Sequence, residues 1–167
     1  MIEIKETNIK DIDNVQRLWA DGDVMRFVGF PNGLHQTSEE MKGWFQWIES
    51  NRPVLNHYSI FENGNYCGES FYEIDEEHQS AALDIKLFGF ARGRGIATAG
   101  LSFAIKEAFR NGAEIVWVDP NPENTKNIEE KPEENENKEK LDEIHKQEEI
   151  MKSHQSGTFG LDILQIE

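Results

Sequence analysis

One segment leaves this chain little conformational freedom. Ala81 to Phe88 alternates as a strand does, and Ala97 to Arg110 repeats apolar side chains at helical spacing. Between them lies Arg92-Gly93-Arg94-Gly95-Ile96-Ala97-Thr98, which packs two glycines and two arginines into a turn. A strand, a glycine-rich turn and a helix in that order bring the N–H groups of the first helical turn to one place. Those groups have no partner inside their own helix, and the helix start is positive, so the place favours an anion such as phosphate. Gly93 and Gly95 let backbone approach a ligand closely, and Arg92 and Arg94 add positive charge. The plainer alternative is a simple turn, since glycines serve turns without any ligand. The turn is not a Walker loop, because no Gly-Lys-Ser/Thr follows. Nor is it a Rossmann fingerprint, because Gly93-x-Gly95 lacks the third glycine.

The elements around it follow from local codes. Met1 to Lys5 alternates as a strand. Asp11 to Ala20 carries Ile12, Val15, Leu18 and Trp19 on one helical stripe, and Met25 to Gly33 reads as an apolar loop. Thr37-Ser38-Glu39-Glu40 is a capping box with Thr37 as N-cap, opening a helix to about Ser50. Tyr58 to Glu62 and Asn65 to Ile74 are strands joined by Asn63-Gly64, a hairpin signal. Asp75 to His78 turns into the strand that precedes the glycines. The following helix shows Ala97, Leu101, Ala104, Ile105 and Ala108 on a buried face and ends at Asn111-Gly112. Ile115 to Val118 is a short buried strand, broken by Asp119-Pro120-Asn121-Pro122. From Glu123 to Lys152, eleven acids and six bases leave too few apolar side chains for ready folding. Residues 126–137 read as a solvated linker, 138–152 as a weak helix, and Leu161 to Ile166 as a last strand. The organisation expected is therefore a core over 1–124, an acidic linker and weak helix over 125–157, and a strand over 158–167 returning to the sheet.

Charge narrows the function. With 32 acidic against 17 basic residues the net charge is -15, which argues against nucleic acid as a partner. An acidic protein suits a cationic acceptor such as an amine, though solubility alone explains the charge equally well. The 167 residues contain no apolar run of the ~20 needed to span a membrane. The single cysteine, Cys67, precludes an internal disulfide and suits the cytoplasm. Five scattered histidines without metal-ligand spacing imply no metal site.

The motif resembles that of a known family. Arg92-x-x-Gly95-x-Ala97 is similar to the Arg/Gln-x-x-Gly-x-Gly/Ala acetyl-CoA motif of the GNAT N-acetyltransferases. Asp119-Pro120-Asn121-Pro122-Glu123-Asn124 resembles the segment after the fifth strand in aminoglycoside 6′-N-acetyltransferases and ribosomal-protein N-terminal acetyltransferases. The likeness covers roughly residues 1–128. It implies an α/β (α+β) fold whose mixed, mostly antiparallel twisted sheet is flanked by helices and splays between strands 4 and 5. It implies acetyl-CoA as cosubstrate. The pyrophosphate would lie on Arg92, Gly93, Arg94, Gly95, Ile96, Ala97 and Thr98, and the pantetheine beside Leu87, Phe88, Gly89 and Asn124. An amine, either a small cationic molecule or a protein N-terminus, would attack the thioester directly. A backbone N–H between Leu87 and Gly89 would polarise its carbonyl.

The general base implied by this mechanism has three candidates, Asp84, Glu69 and Glu73, each of which is otherwise a solvated or paired carboxylate; His57 is a fourth. Glu69 and Glu73 share one strand face, and Asp84 lies opposite Leu83, Ile85 and Leu87. Trp19, Phe27, Phe30, Trp44, Phe45 and Trp47 fall where the family builds its acceptor pocket, with core packing as the ordinary reading of most. The chain departs from the family at Lys131, where relatives carry a Tyr that protonates the CoA thiolate, and at Pro132. That departure leaves an alternative open: a CoA-binding protein with little catalysis, acting by association through its acidic tail. The tail itself is either a disordered insertion or an element that binds a partner or pairs subunits into a homodimer.

Overall fold

The computed structural model describes residues 1–119. Among them, one sheet runs in the order β1 (Ile2–Glu6), β2 (Leu55–Glu62), β3 (Asn65–Asp75), β4 (Ser80–Leu87) and β5 (Ile115–Val118). The helices are α1 (Ile12–Trp19), α2 (Gly22–Met25), α3 (Ser38–Asn51) and α4 (Ile96–Arg110). The first three ladders are antiparallel. β4 and β5 are parallel, with α4 as the crossover that a parallel pair requires. The expected mixed sheet with flanking helices is what forms. The expectations over 125–157 and 158–167, and for Asn124, lie outside the described residues.

Local codes place most elements. Asn63 and Gly64 both have positive φ, at 50° and 80°, as a two-residue hairpin turn demands. The Glu40 amide donates to Thr37 Oγ1 at 3.2 Å while the Thr37 amide donates to Glu40 Oε2 at 2.7 Å, so the capping box starts α3 as read. Two expectations need correction. The stretch taken as a loop from Met25 is preceded by α2, whose N-cap Asp21 accepts from the Asp23 amide at 2.8 Å, and it begins with a 3-10 turn over Arg26–Val28. β2 starts at Leu55, not Tyr58. Its polar residues Asn56 and His57 masked the strand pattern, yet both are buried. Asn56 is satisfied there by donating to Glu6 Oε2 at 2.8 Å and accepting from Arg52 Nε at 2.9 Å.

The sheet is covered on two sides. α4 lies on one, over Tyr58, Tyr72, Leu83, Ile85 and Leu87. It comes close because Gly100, Ala104 and Ala108 are small; a Cβ on Gly100 would stand 2.6 Å from Ile60 Cδ1. On the other side Ile12, Val15, Leu18, Trp19, Met41 and Phe45 form a second core from α1 and α3. All of them are residues the helical spacing marks as inward-facing.

Candidate active site

β4 outruns its neighbour. The β4–β5 ladder runs from Ser80↔Ile115 to Leu83↔Val118, while β4 continues to Leu87. The Phe88 amide donates to Cys67 C=O at 3.0 Å, towards β3. Backbone groups alternate sides along a strand, so those of Ile85 and Leu87 face the edge where β5 has ended. Sequence alone placed Leu87, Phe88 and Gly89 at this strand end, and the structure puts them there, with Gly89 opening a 3-10 turn over Gly89–Ala91.

The glycine turn follows at once. Gly93 and Gly95 have φ of 69° and 74°, a conformation that costs most other residues about 1–2 kcal/mol. Among the described residues a Cβ on either would meet nothing within 4 Å. Gly95 is the N-cap of α4, and the first i→i−4 bond runs from the Ala99 amide to Gly95 C=O at 3.1 Å. The amides of Ile96, Ala97 and Thr98 lie ahead of that bond, at the positive helix end.

The two arginines of the turn are used differently from one another. Arg92 is half-buried and bonds backbone: its Nη2 donates to Leu87 C=O at 3.1 Å and to Asp23 C=O at 3.2 Å. It thus staples α2 to the end of β4. Arg94 pairs with Glu62 at 2.6 Å beside a groove of about 680 Å³ walled by Tyr66, Phe88 and Phe90.

Two of the three candidate carboxylates meet in a buried cluster on the α1 and α3 side. Register explains it: Glu69 stands opposite Ser59 and Lys86, and Phe71 stands opposite His57 and Asp84. Side chains at alternate positions share a face, so Glu69, His57, Asp84 and Lys86 converge. Glu69 Oε1 accepts from Trp19 Nε1 at 2.9 Å and lies 3.4 Å from Lys86 Nζ. Its Oε2 is 3.0 Å from His57 Nε2, as a charge contact out of line for a good hydrogen bond. Lys86 also donates to Asp84 Oδ2, whereas Asp84 Oδ1 is buried and meets no donor among the described residues. Thr7 Oγ1 links His57 Nδ1 and Ser59 Oγ, both at 2.8 Å. Trp44 closes over His57 edge-on at 4.9 Å.

Burial and charge then separate the two acids. Burial pushes the Asp84 carboxyl up to about 6, because Lys86 offsets only part of the lost hydration and Glu69 repels a second negative charge. Burial would raise Glu69 too, but His57 and Lys86 outweigh it and hold the group at about 2. Lys86 is raised: burial works against its charge, and the two carboxylates more than compensate. Glu73 is apart from this cluster, half-buried opposite Leu55 and Ala82, where β5 still pairs with β4. Sequence reading missed Lys86, the Trp19 indole and Thr7. Only Lys86 left a signal, lying two residues from Asp84 on the same strand face.

Of the aromatic residues near the expected acceptor side, Trp19 and Phe45 are core, Phe27 and Trp44 are half-buried, and Phe30 and Trp47 are exposed. Among the described residues no three His, Cys, Asp or Glu side chains are grouped to hold a metal. No helix there is long and apolar enough to cross a membrane.

Residues 2–129 match the acetyltransferase (GNAT) domain family, and the chain belongs to it. Solved structures share the fold. An N-acetyltransferase from Staphylococcus aureus Mu50 is 22% identical, with a TM-score of 0.58 over 68% of this chain and 69% of that one. A spermidine N-acetyltransferase from Vibrio cholerae, in complex with CoA and spermine, is 16% identical, with a TM-score of 0.56 over 65% and 64%. A ribosomal-protein-alanine N-acetyltransferase from Brucella melitensis is 20% identical, with a TM-score of 0.53 over 68% and 71%. No curated protein sequence matches.

Proposed function

We propose that the protein binds acetyl-CoA across the glycine turn and the edge of β4 beyond its pairing with β5, and transfers the acetyl group to an amine. The observation that carries this is the continuity of three features. The α4 amides end the turn, the backbone groups of Ile85 and Leu87 face an edge past the end of β5, and Asp84 lies one residue beyond the last β4–β5 pair. The pyrophosphate rests on the amides of Ile96, Ala97 and Thr98, with Gly93 and Gly95 giving clearance. The pantetheine runs along Ile85 and the Leu87 N–H as an added strand would, the Leu87 C=O being held by Arg92. The Leu87 N–H or the Gly89 N–H polarises the thioester carbonyl. Arg92 serves by holding the turn against β4 and α2, and Arg94 by keeping positive charge beside the turn. The family and the CoA-bound spermidine enzyme support this placement.

Chemistry follows as direct attack. The amine loses a proton to Asp84 through water, its nitrogen bonds to the acetyl carbon, and the C–S bond breaks to release CoA as thiolate, which then takes up a proton. Asp84 is suited because its carboxyl is held near 6 and Oδ1 is not engaged by a described donor. Glu69 is held ionised by its neighbours and supports rather than exchanges. The acceptor class is a small cationic amine, polyamine-like or aminoglycoside-like, or a protein N-terminus; the overall negative charge supports a cation.

Thiol release from acetyl-CoA, measured against a polyamine, an aminoglycoside and a peptide with a free N-terminus, tests the reading. Release is expected with at least one, and Asp84→Asn lowers its kcat/KM about 100-fold. Tight acetyl-CoA binding with no release for any amine overturns it in favour of a CoA-binding protein acting by association, as Lys131 in place of the family Tyr also suggests.

A further inference from the structure

The buried cluster holds more charge than one proton acceptor needs. Glu69, Asp84, Lys86 and His57 are each no more than 3% exposed. Placing two carboxylates there is costly unless each is paired or one keeps its proton. The contacts are unequal. Glu69 Oε1 accepts from the Trp19 N–H and lies 3.4 Å from Lys86, and its Oε2 is 3.0 Å from His57 without a hydrogen bond, whereas Asp84 has Lys86 on Oδ2 and neither a described donor nor a described cation on Oδ1. Among the described residues Lys86 is the only side chain that touches both acids.

We propose that Lys86 is a positioning residue for Asp84: its ammonium, donating to Asp84 Oδ2 and 3.4 Å from Glu69, offsets part of the cost of ionising Asp84 beside a second buried carboxylate. The Trp19 N–H and the His57 ring, both at Glu69, make the two acids unequal and fix Glu69 as the permanent anion, leaving Asp84 as the group that exchanges a proton. This rests on reading Asp84 as the proton acceptor, and it adds how one of two adjacent acids is selected. The groups facing the pair among the described residues are His57 from β2, Glu69 from β3, Lys86 from β4, and the uncharged Trp19 indole from α1. Tyr66, also buried on β3, lies close enough to Glu69 to feel its charge, and burial raises its hydroxyl far above neutral pH, so it stays protonated there. Thr7 Oγ1 holds His57 Nδ1 at 2.8 Å.

The consequence has a sign. Without the Lys86 charge, Asp84 faces only Glu69, so its proton is held more tightly. Without the Glu69 charge, Lys86 acts on Asp84 alone, so its proton is held less tightly. The experiment follows the Asp84 carboxyl by 13C NMR titration in the intact chain, the signal being assigned with Asp84→Asn. Lys86→Met moves the Asp84 titration up by about one pH unit or more, Glu69→Gln moves it down by about as much, and Lys86→Arg leaves it within a few tenths. The acid limb of the kcat/KM profile moves with it. If Lys86→Met does not fold, the downward shift in Glu69→Gln and the retention in Lys86→Arg still decide. An Asp84 titration unmoved in every folded variant overturns the proposal. Because the NMR readout needs no turnover, full activity in Asp84→Asn would instead overturn the proton-acceptor reading alone.

Discussion

On the α4 side of the sheet, Tyr72, Ile85 and Leu87 meet Gly100, Ala104 and Ala108 in an apolar contact. One position along the same strands, on the α1 and α3 side, stand His57, Glu69, Asp84 and Lys86, equally buried and charged or polar. A strand that is buried on both faces usually reads as a continuous apolar run. Here β4 reads as alternating, which suggests one solvated face, yet none of its residues is exposed. The difference shows that the alternation marks a division of labour and not a water-facing side. The α4 side fixes the glycine turn by close packing, and the opposite side holds ionisable groups in a dry site where their charges act strongly on one another.

That contrast can be broken from either side. The largest effect is expected from Glu69→Gln. It removes one of the two carboxylates beside Lys86 and the charged acceptor of the Trp19 N–H, and about 3 kcal/mol of stability is lost in urea unfolding at neutral pH. The pH dependence sharpens the point. Glu69 titrates in the folded protein at about 2, below its ordinary 4.5, so its contribution to stability is fully present above that range and fades as pH falls from about 4.5 to 2. Asp84 has the opposite sign. Its folded value of about 6 lies above the ordinary 3.8, so stability grows as pH falls through 6. Stability of the unsubstituted protein should therefore show a gain on the Asp84 account before the Glu69 loss, and Glu69→Gln should lack the lower loss.

Next in size is Gly95→Asp, which places a negative charge and a side chain at the left-handed N-cap of α4. Acetyl-CoA binding by calorimetry should weaken about 10- to 100-fold with the buried cluster undisturbed. Unchanged affinity would remove the turn as the phosphate site. The smallest effect is expected from Gly100→Ala. The added Cβ meets Ile60 Cδ1 at 2.6 Å and Ile85 Cδ1 at 2.9 Å, both movable side-chain ends, while alanine improves helix propensity by about 1 kcal/mol. The net change in thermal unfolding should be about 1 kcal/mol or less. A far larger loss would show that the α4 contact tolerates no adjustment.

The amino-acid sequence by itself determined the strand, turn and helix around Gly93 and Gly95, the Asn63-Gly64 hairpin and the Thr37–Glu40 capping box. Each is specified by neighbours within a turn or two, where backbone sterics and local hydrogen bonds decide the outcome. It also supplied Asp84 and Glu69 as candidates, but together with Glu73, because a carboxylate on a strand looks the same in sequence whatever stands across from it. Tertiary structure decided between them. Trp19 and His57 reach Glu69 from 50 and 12 positions away in the chain, and Lys86 reaches it across a ladder. Pairing register and helix packing set those meetings. They arise from contacts too distant in sequence for periodicity to encode, and they give two similar carboxylates opposite electrostatic surroundings.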